Sequence, residues 1–214
     1  MTLRHDPPTR ERIVTEAIRL FAERGFRGTT VGEIEAAAGL VPRSGGLYKH
    51  FPSKEALLEA ALERHVSELE AVRSAIDLMP LGDLRSELTL VARWTLAELG
   101  AEQQLVKIIQ KEGDRFPELA AQFHERLVKP GYEEATKVIE RVLQEAGAGE
   151  RDTRALAAIA LGSLVNYRIE QTMFGIPPAG VGEEEMIETW VELWMTLARS
   201  GKLEAAAVSG EKGR

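Results

Sequence analysis

The stretch that decides the fold is RIVTEAIRLFAERGFRGTTV, residues 12–31. Its apolar residues recur at the three- and four-residue steps of one helix face: Ile13, Ala17, Ile18 and Phe21. Gly25 ends that helix. Thr30 and Glu33 have the spacing of a capping box, in which each side chain binds the backbone amide of the other residue. The stretch therefore predicts an amphipathic helix, a sharp turn and a new helix from residue 31.

Two short helices follow this stretch. The first ends at Gly39, and the second holds an apolar set before Pro52 breaks it: Leu47, Tyr48 and Phe51. Two short helices that are joined by a glycine-containing turn and packed on a preceding amphipathic helix form a helix-turn-helix. Such a motif places its second helix in the major groove of double-stranded DNA. The first 55 residues are therefore predicted to form a DNA-binding head.

The rest of the chain continues the helical pattern and contains no convincing strand. Helices are predicted at 54–77, 83–99, 102–112, 117–146, 152–173 and 183–199, with segments rich in glycine and proline between them. The sequence thus predicts an all-α fold of about nine helices. A helix-turn-helix domain over residues 1–55 precedes a helical ligand-binding and dimerisation bundle over 56–202, and a disordered tail covers 203–214.

Composition narrows the class of protein. No apolar run is long enough to span a bilayer, and no secretion leader or cysteine is present, which favours a cytoplasmic protein without disulfides. The net charge of the 214 residues is -7, yet residues 1–60 hold nine basic and eight acidic residues. That segment therefore carries +1 and the remainder -8. This asymmetry is typical of a small DNA-contacting head on an acidic body.

Enzyme and metal sites find no support in the sequence. It contains no glycine-rich phosphate loop, no Gly-x-Ser-x-Gly elbow and no His-Glu-x-x-His motif. His50, His65 and His124 are scattered, and none has a second histidine or a cysteine at ligand spacing. We therefore expect a protein that is not an enzyme and that holds neither cofactor nor metal.

Three segments, as an ordered set, resemble the opening of the tetracycline-repressor (TetR) family. They are residues 12–31, IEAAAG at 34–39 and GLYKHFPSKEAL at 46–57. The resemblance covers residues 10–60 and implies a homodimeric repressor that binds operator DNA and leaves it when a small molecule binds the body. One spacing differs. Family members usually have six positions from the turn glycine to the leucine before the tyrosine, whereas Gly39 to Leu47 spans eight.

The predicted DNA contacts surround the third helix. They are Thr30, Arg43, Ser44, Gly45, Gly46, Tyr48, Lys49, His50 and Lys54. Arg43 is predicted to read a base, because its guanidinium can pair with both acceptors of a guanine. By the resemblance, Tyr48 and His50 contact backbone phosphates. Lys49, Lys54 and Thr30 are expected to do the same, while a core position for Tyr48 is the alternative.

The body is predicted to hold an effector and a dimer interface, again with core packing as the alternative for each residue. Residues 112–119 resemble a helix break seen in one branch of the family. The pocket candidates favour a hydrophobic compound: Trp94, Leu105, Ile109, Phe116, Phe123, Tyr132, Asn166 and Phe174. Asn166 is expected to point inward. The dimer candidates lie on the last two long helices: Leu156, Ile159, Ser163, Tyr167, Trp190 and Trp194.

Two rival functions remain. A helical ligand sensor or carrier without DNA binding is favoured by the altered turn after Gly39. A hydrolase is the other, and the lack of any nucleophile–base pair argues against it. A mobility-shift assay distinguishes these functions, because a regulator is expected to bind DNA and neither rival is.

Overall fold

The computed structural model describes residues 8–76, 82–101, 103–146 and 152–211. Within these ranges the chain is helical and contains no strand, so the all-α prediction is confirmed. The helices are α1 (Thr9–Arg24), α2 (Val31–Ala37), α3 (Ala56–Ile76), α4 (Leu84–Ala101), α5 (Gln103–Glu112), α6 (Pro117–Phe123), α7 (Lys129–Ala146), α8 (Thr153–Phe174) and α9 (Glu183–Glu211). Five π-helical residues, His124–Val128, join α6 to α7. The predicted helix 117–146 is therefore present, with one wider turn in it.

Local capping starts and stops the first helices as the sequence predicts. The backbone amide of Thr30 donates to Glu33 Oε2 at 2.8 Å, and the amide of Glu33 donates to Thr30 Oγ1 at 3.3 Å. Gly25 ends α1 with a φ of 77°, a value that favours glycine. Ser53 Oγ accepts from the amide of Ala56 at 3.2 Å, where α3 begins. These turns are set by residues within four positions of one another.

The predicted third helix is a single 3-10 turn, Leu47–Lys49. Arg43 and Gly45 both have a positive φ, at 60° and 73°, and such residues cannot continue a right-handed helix. A second difference lies at the end of the chain. Helix α9 runs to Glu211, beyond the predicted end at 199, and so overlaps the predicted tail over 203–214. Residues 201–208, GKLEAAAV, are mostly good helix formers after the glycine. Residues 212–214 lie outside the described chain.

The chain forms two compact units. The first contains residues 1–73 and 102–126, and the second contains residues 74–101 and 127–214. Helices α5 and α6 thus belong to the same unit as α1 and α2. The predicted domain limits at 55 and 202 stay a prediction.

The core of the first unit is built from α1, α2, the 3-10 turn and α3, with Ile108 of α5 added. At its centre is a mini-core of five residues, each at most 3% exposed: Phe21, Phe26, Ile34, Leu47 and Phe51. Phe26 lies between two other rings, with its centroid 5.0 Å from that of Phe21 and 4.9 Å from that of Phe116. A small head thereby obtains apolar cover that three short helices alone would lack.

The second unit is a bundle of α4, α7, α8 and α9 around one core. Its largest buried members are Leu88, Leu96, Ile139, Leu164, Tyr167, Trp190 and Trp194. At its surface, Arg93 pairs with Glu184 and Arg85 pairs with Glu192, which sets α4 antiparallel to α9. Across the described parts of the chain, no helix combines the length and apolar character needed to cross a membrane.

Candidate nucleic-acid interface

The 3-10 turn exposes polar side chains and is held in place by buried apolar residues on either side of them. Leu47 is fully buried and Phe51 is 3% exposed, whereas Lys49 and His50 between them are exposed. Tyr48 is 55% exposed, so the alternative that places it in the core is wrong. This pattern of three exposed residues between two buried ones follows from a tight turn of about three residues, in which neighbouring side chains point in different directions. Three polar side chains, those of Tyr48, Lys49 and His50, are thus exposed on one anchored turn.

The chain before this turn lies close against α2. The Cγ of Arg43 is 3.1 Å from the position that a Cβ on Gly32 would take, so a larger residue at position 32 would push Arg43 away. Arg43 itself is exposed, as is Ser44. Ser44 Oγ accepts from the amide of Gly46 at 3.3 Å and closes the next bend. The predicted base-reading segment is therefore an ordered bend, with Arg43 at its outer side.

The carboxylate of Glu35 lies beneath this bend. Glu35 is fully buried in α2, and its Oε1 accepts from the amide of Leu47 at 3.0 Å. Its Oε2 is buried and has no hydrogen-bond partner within the described parts of the chain. Sequence reasoning missed this residue because a glutamate beside Ile34 on a short helix reads as a solvent-facing charge. No local signal indicates its burial, because adjacent positions on a helix lie about 100° apart around the axis.

Lys54 was expected to contact phosphate, and the structure uses its ammonium internally. Nζ donates to the main-chain oxygen of Phe26 at 2.6 Å and to that of Thr29 at 2.8 Å, and it lies 4.0 Å from the centroid of the Phe26 ring. Burial lowers the pKa of Lys54, and the nearby Arg115 adds to the same effect. Lys54 therefore ties the start of α3 to the loop between α1 and α2.

Thr30, another predicted phosphate contact, is exposed at the start of α2. Its hydroxyl donates to Glu33 Oε2 at 2.7 Å, and the hydrogen bonds from Thr30 hold the pKa of Glu33 below its usual value. Arg24 reinforces the same carboxylate at 3.0 Å. The hydroxyl of Thr30 is thus part of the capping box.

The end of α5 holds the turn after α1. Glu112 Oε1 accepts from the amide of Phe26 at 2.9 Å, and Lys111 Nζ donates to the main-chain oxygen of Ala22 at 2.7 Å. Gly25 is required here, because a Cβ at that position would lie 3.2 Å from Glu112 Oε1. Both contacts span more than 80 residues of sequence, so no local pattern indicated them.

The predicted pocket residues fall into both units. In the first unit, Leu105 and Phe116 pack against the head core, and Ile109 and Phe123 are half-buried. In the second unit, Trp94 and Tyr132 are half-buried. The Nε1 of Trp94 is buried and has no hydrogen-bond partner among the described residues.

Two of the pocket candidates are exposed. Asn166 does not point inward as expected: it is exposed, and its Nδ2 donates to Glu170 Oε1 at 2.9 Å within the same helix. Phe174 is 66% exposed at the end of α8. The position of a residue around the helix axis decides its exposure. The prediction placed Asn166 on the side of α8 that faces the core, and this was wrong.

The predicted interface residues also divide. Ile159 is 61% exposed, and Leu156 and Ser163 are half-buried, so these three offer surface to a partner. The other three are at most 5% exposed within their own chain: Tyr167, Trp190 and Trp194. Trp190 Nε1 donates to a main-chain oxygen of α8 at 3.0 Å. These three side chains therefore fill the core of the bundle, which is the alternative that the sequence left open.

An exposed leucine adds to the outer face. Leu193 of α9 is 60% exposed, and sequence analysis did not single it out. Among the described residues, no group of three histidine, aspartate or glutamate side chains has a geometry that could hold a metal ion.

Comparison with known proteins finds a family match within the first unit. Residues 13–61 match the family model described as bacterial regulatory proteins, tetR family. The HTH-type transcriptional repressor KstR2 of Rhodococcus jostii is 35% identical over 108 residues, which are 48% of this chain and 49% of that protein. The uncharacterised HTH-type transcriptional regulator YvkB of Bacillus subtilis is 30% identical over 112 residues, 52% of this chain and 56% of that protein. The chain spans about half the length of these two relatives.

The fold extends further than the sequence match. The transcriptional regulator FadR from Bacillus subtilis, solved in complex with stearoyl-CoA, superposes with a TM-score of 0.63 at 19% identity. The match covers 86% of this chain and 96% of that one. At this identity the likeness establishes the fold and nothing more.

Proposed function

We propose that the whole chain is a DNA-binding transcriptional regulator, because its residues 13–61 match the family model described as bacterial regulatory proteins, tetR family. The observation that carries the proposal is the exposed polar surface on the 3-10 turn, which is anchored by the buried Leu47 and Phe51. A surface of this kind, presented after a helix-turn-helix bend, fits the major groove of DNA.

On this surface, different side chains would contact different parts of the DNA according to their chemistry. Lys49, Tyr48 and His50 would contact phosphates, since each carries a donor and is exposed. Arg43 would reach a guanine from the outer side of the bend. Gly45 would leave room for the backbone to approach the DNA, because a Cβ there would meet only the Tyr48 ring, at 4.0 Å. Lys54 contributes to this arrangement by holding the loop before α2, and the internal hydrogen bonds of its ammonium argue against a phosphate contact.

We propose that the regulator acts as a homodimer, because a palindromic operator requires two heads about 34–36 Å apart. The surface offered for pairing is the outer face of α8 and α9. Ile159 of α8 and Leu193 of α9 are two of the large exposed apolar side chains on these helices, with Leu156 and Ser163 beside Ile159 on α8. A partner that covered these side chains would remove their apolar surface from water, which favours association.

We propose further that the regulator is a repressor that a hydrophobic small molecule releases. The support is the fold shared with a regulator solved with stearoyl-CoA. In this chain, the half-buried Trp94 and Tyr132 are the candidate contacts in the second unit, and no described residue accepts a hydrogen bond from the buried Nε1 of Trp94. A ligand that binds one conformation better than the other would shift the population of DNA-competent dimers.

The test is a mobility-shift series against duplex fragments from upstream of the protein's own coding region, each measured from low to physiological salt. We expect the protein to bind one fragment more tightly than a random duplex of equal length. We also expect this binding to weaken as the salt concentration rises. A fragment that is retained is then titrated with long-chain acyl-CoA as the hydrophobic probe, with release as the expected outcome. No retention of any fragment at low salt would favour the carrier or sensor without DNA binding.

A further inference from the structure

We propose that Glu35 is the positioning residue that sets the base-reading bend, and the inference rests on the DNA-binding function proposed above. Glu35 is fully buried in α2, and no DNA contact is open to it. It would act through Leu47, whose amide donates to its Oε1 at 3.0 Å. Tyr48, Lys49 and His50 follow Leu47 directly.

The bend above Glu35 needs such support. Arg43 has a φ of 60°, which is uncommon for a residue with a side chain, and Gly45 follows at 73°. The other hydrogen bonds within residues 41–46 are local: the amide of Ser44 donates to Val41 O at 3.3 Å, and that of Gly46 donates to Ser44 Oγ. The bond from Leu47 to Glu35, twelve residues back, is the one that ties the end of the bend to α2.

The chemistry of Glu35 also indicates a specific role. A buried carboxylate is costly, and here one oxygen, Oε2, has no hydrogen-bond partner among the residues that the structure describes. An apolar residue at position 35 would avoid that cost but would leave the buried amide of Leu47 without an acceptor. The eight positions from Gly39 to Leu47 make the turn two residues longer than the usual family spacing. The long reach of a glutamate from α2 spans the extra distance to the start of the 3-10 turn.

Two variants separate reach from charge. Glu35→Gln keeps the length of the side chain and an amide oxygen for Leu47 but removes the negative charge. Glu35→Asp keeps the charge, but its side chain is shorter by one carbon–carbon bond of about 1.5 Å. From 3.0 Å, that withdrawal takes the carboxylate beyond hydrogen-bond distance. Glu59→Ala is the control, because Glu59 is an exposed acid on α3 in the same unit.

The measurement is the ratio of affinities for a fragment that the wild-type chain retains and for a random duplex of equal length. Circular dichroism and thermal unfolding of each variant accompany it. We expect Glu35→Gln and Glu59→Ala to keep the ratio within about threefold of wild type. We expect Glu35→Asp, folded, to lower the ratio by about tenfold or more, since a displaced side chain loses its base contact. Amide hydrogen exchange at residues 47–50 should rise in Glu35→Asp alone.

Failure takes distinguishable forms. If the wild-type chain prefers no fragment, the proposed function fails and the inference falls with it. If the wild type is selective and a folded Glu35→Asp is equally selective, the inference alone is overturned. A loss of selectivity in Glu35→Gln equal to that in Glu35→Asp would also overturn it, because charge and not reach would then be the property that counts.

Discussion

Replacing Lys54 by methionine is expected to destabilise the first unit and to leave the salt dependence of DNA binding unchanged. The ammonium donates to two main-chain oxygens, those of Phe26 and Thr29, and lies 4.0 Å from the Phe26 ring. Methionine has a similar length and no donor. The substitution therefore removes both hydrogen bonds while it keeps most of the apolar stem.

The size of the effect follows from these contacts. A hydrogen bond that involves a charged group contributes about 1.5–3 kcal/mol, and an ammonium over an aromatic face contributes about 0.5–2 kcal/mol. Burial lowers the pKa of Lys54, so desolvation cancels part of that gain, and water still reaches the half-exposed side chain. We expect a net loss of about 1–3 kcal/mol in the free energy of unfolding. For a chain of 214 residues this corresponds to a fall of about 2–12 °C in Tm.

The assay pairs urea unfolding, followed by circular dichroism, with mobility shifts over a series of salt concentrations. Lys49→Met is the matched control, since Lys49 is exposed on the 3-10 turn and its ammonium has no internal role to lose. That variant should keep its urea midpoint and should lower the slope of log K against log salt by about 1.

The opposite pattern would refute the reasoning. If Lys54→Met keeps the urea midpoint and lowers the salt slope as Lys49→Met does, Lys54 is a phosphate contact, as the sequence predicts. In that case the hydrogen bonds to Phe26 and Thr29 would contribute no stability in solution.

Three further outcomes are expected. The folded pKa of Glu33 lies below its unfolded value, so its contribution to stability is present above the ordinary glutamate pKa and is lost as pH falls through the lowered value. Thr30→Ala should therefore show a shallower loss of stability in urea unfolding from about pH 5 to pH 2, and an unchanged acid profile would contradict the capping-box account. Trp190→Phe should cost about 1–2 kcal/mol more than Trp194→Phe in urea unfolding, because only Trp190 Nε1 has a hydrogen-bond partner; equal losses would count against this. Ile159→Glu should convert a dimer into a helical monomer in sedimentation velocity, and an intact dimer would place the interface elsewhere.

The head could be predicted from the sequence to an unusual degree, since its helix ends depend on neighbours. Gly25 ends α1, and Thr30 with Glu33 starts α2, each through bonds that close within four residues. The apolar mini-core is equally local in origin, because each of its members lies on the apolar face of a short segment. Patterns that recur within one or two turns carry this information without any reference to the fold.

The bend from Arg43 to Gly46 shows where local information ends. The sequence indicates a turn and a short helix, whereas the structure has a single 3-10 turn after two positive φ angles. That geometry is held by Gly32 and Glu35 of α2, which approach the bend only when the head is packed. A strained backbone is stable where distant groups support it, so its conformation is a tertiary property.

Which apolar side chains of the second unit are buried and which are exposed was likewise decided by tertiary packing. Periodicity identifies the stripe that holds Trp190 and Trp194, but a core and a dimer interface require the same apolar residues at the same spacing. The structure assigns both tryptophans to the core of their own chain and leaves Ile159 and Leu193 outside. Lys54 likewise has a side chain that could bind phosphate, but in the structure its ammonium donates to main-chain oxygens of its own chain. The sequence thus determined which segments are helical and where they start, because those interactions are local. What covers each face was decided by packing between segments far apart in the chain, which no local pattern records.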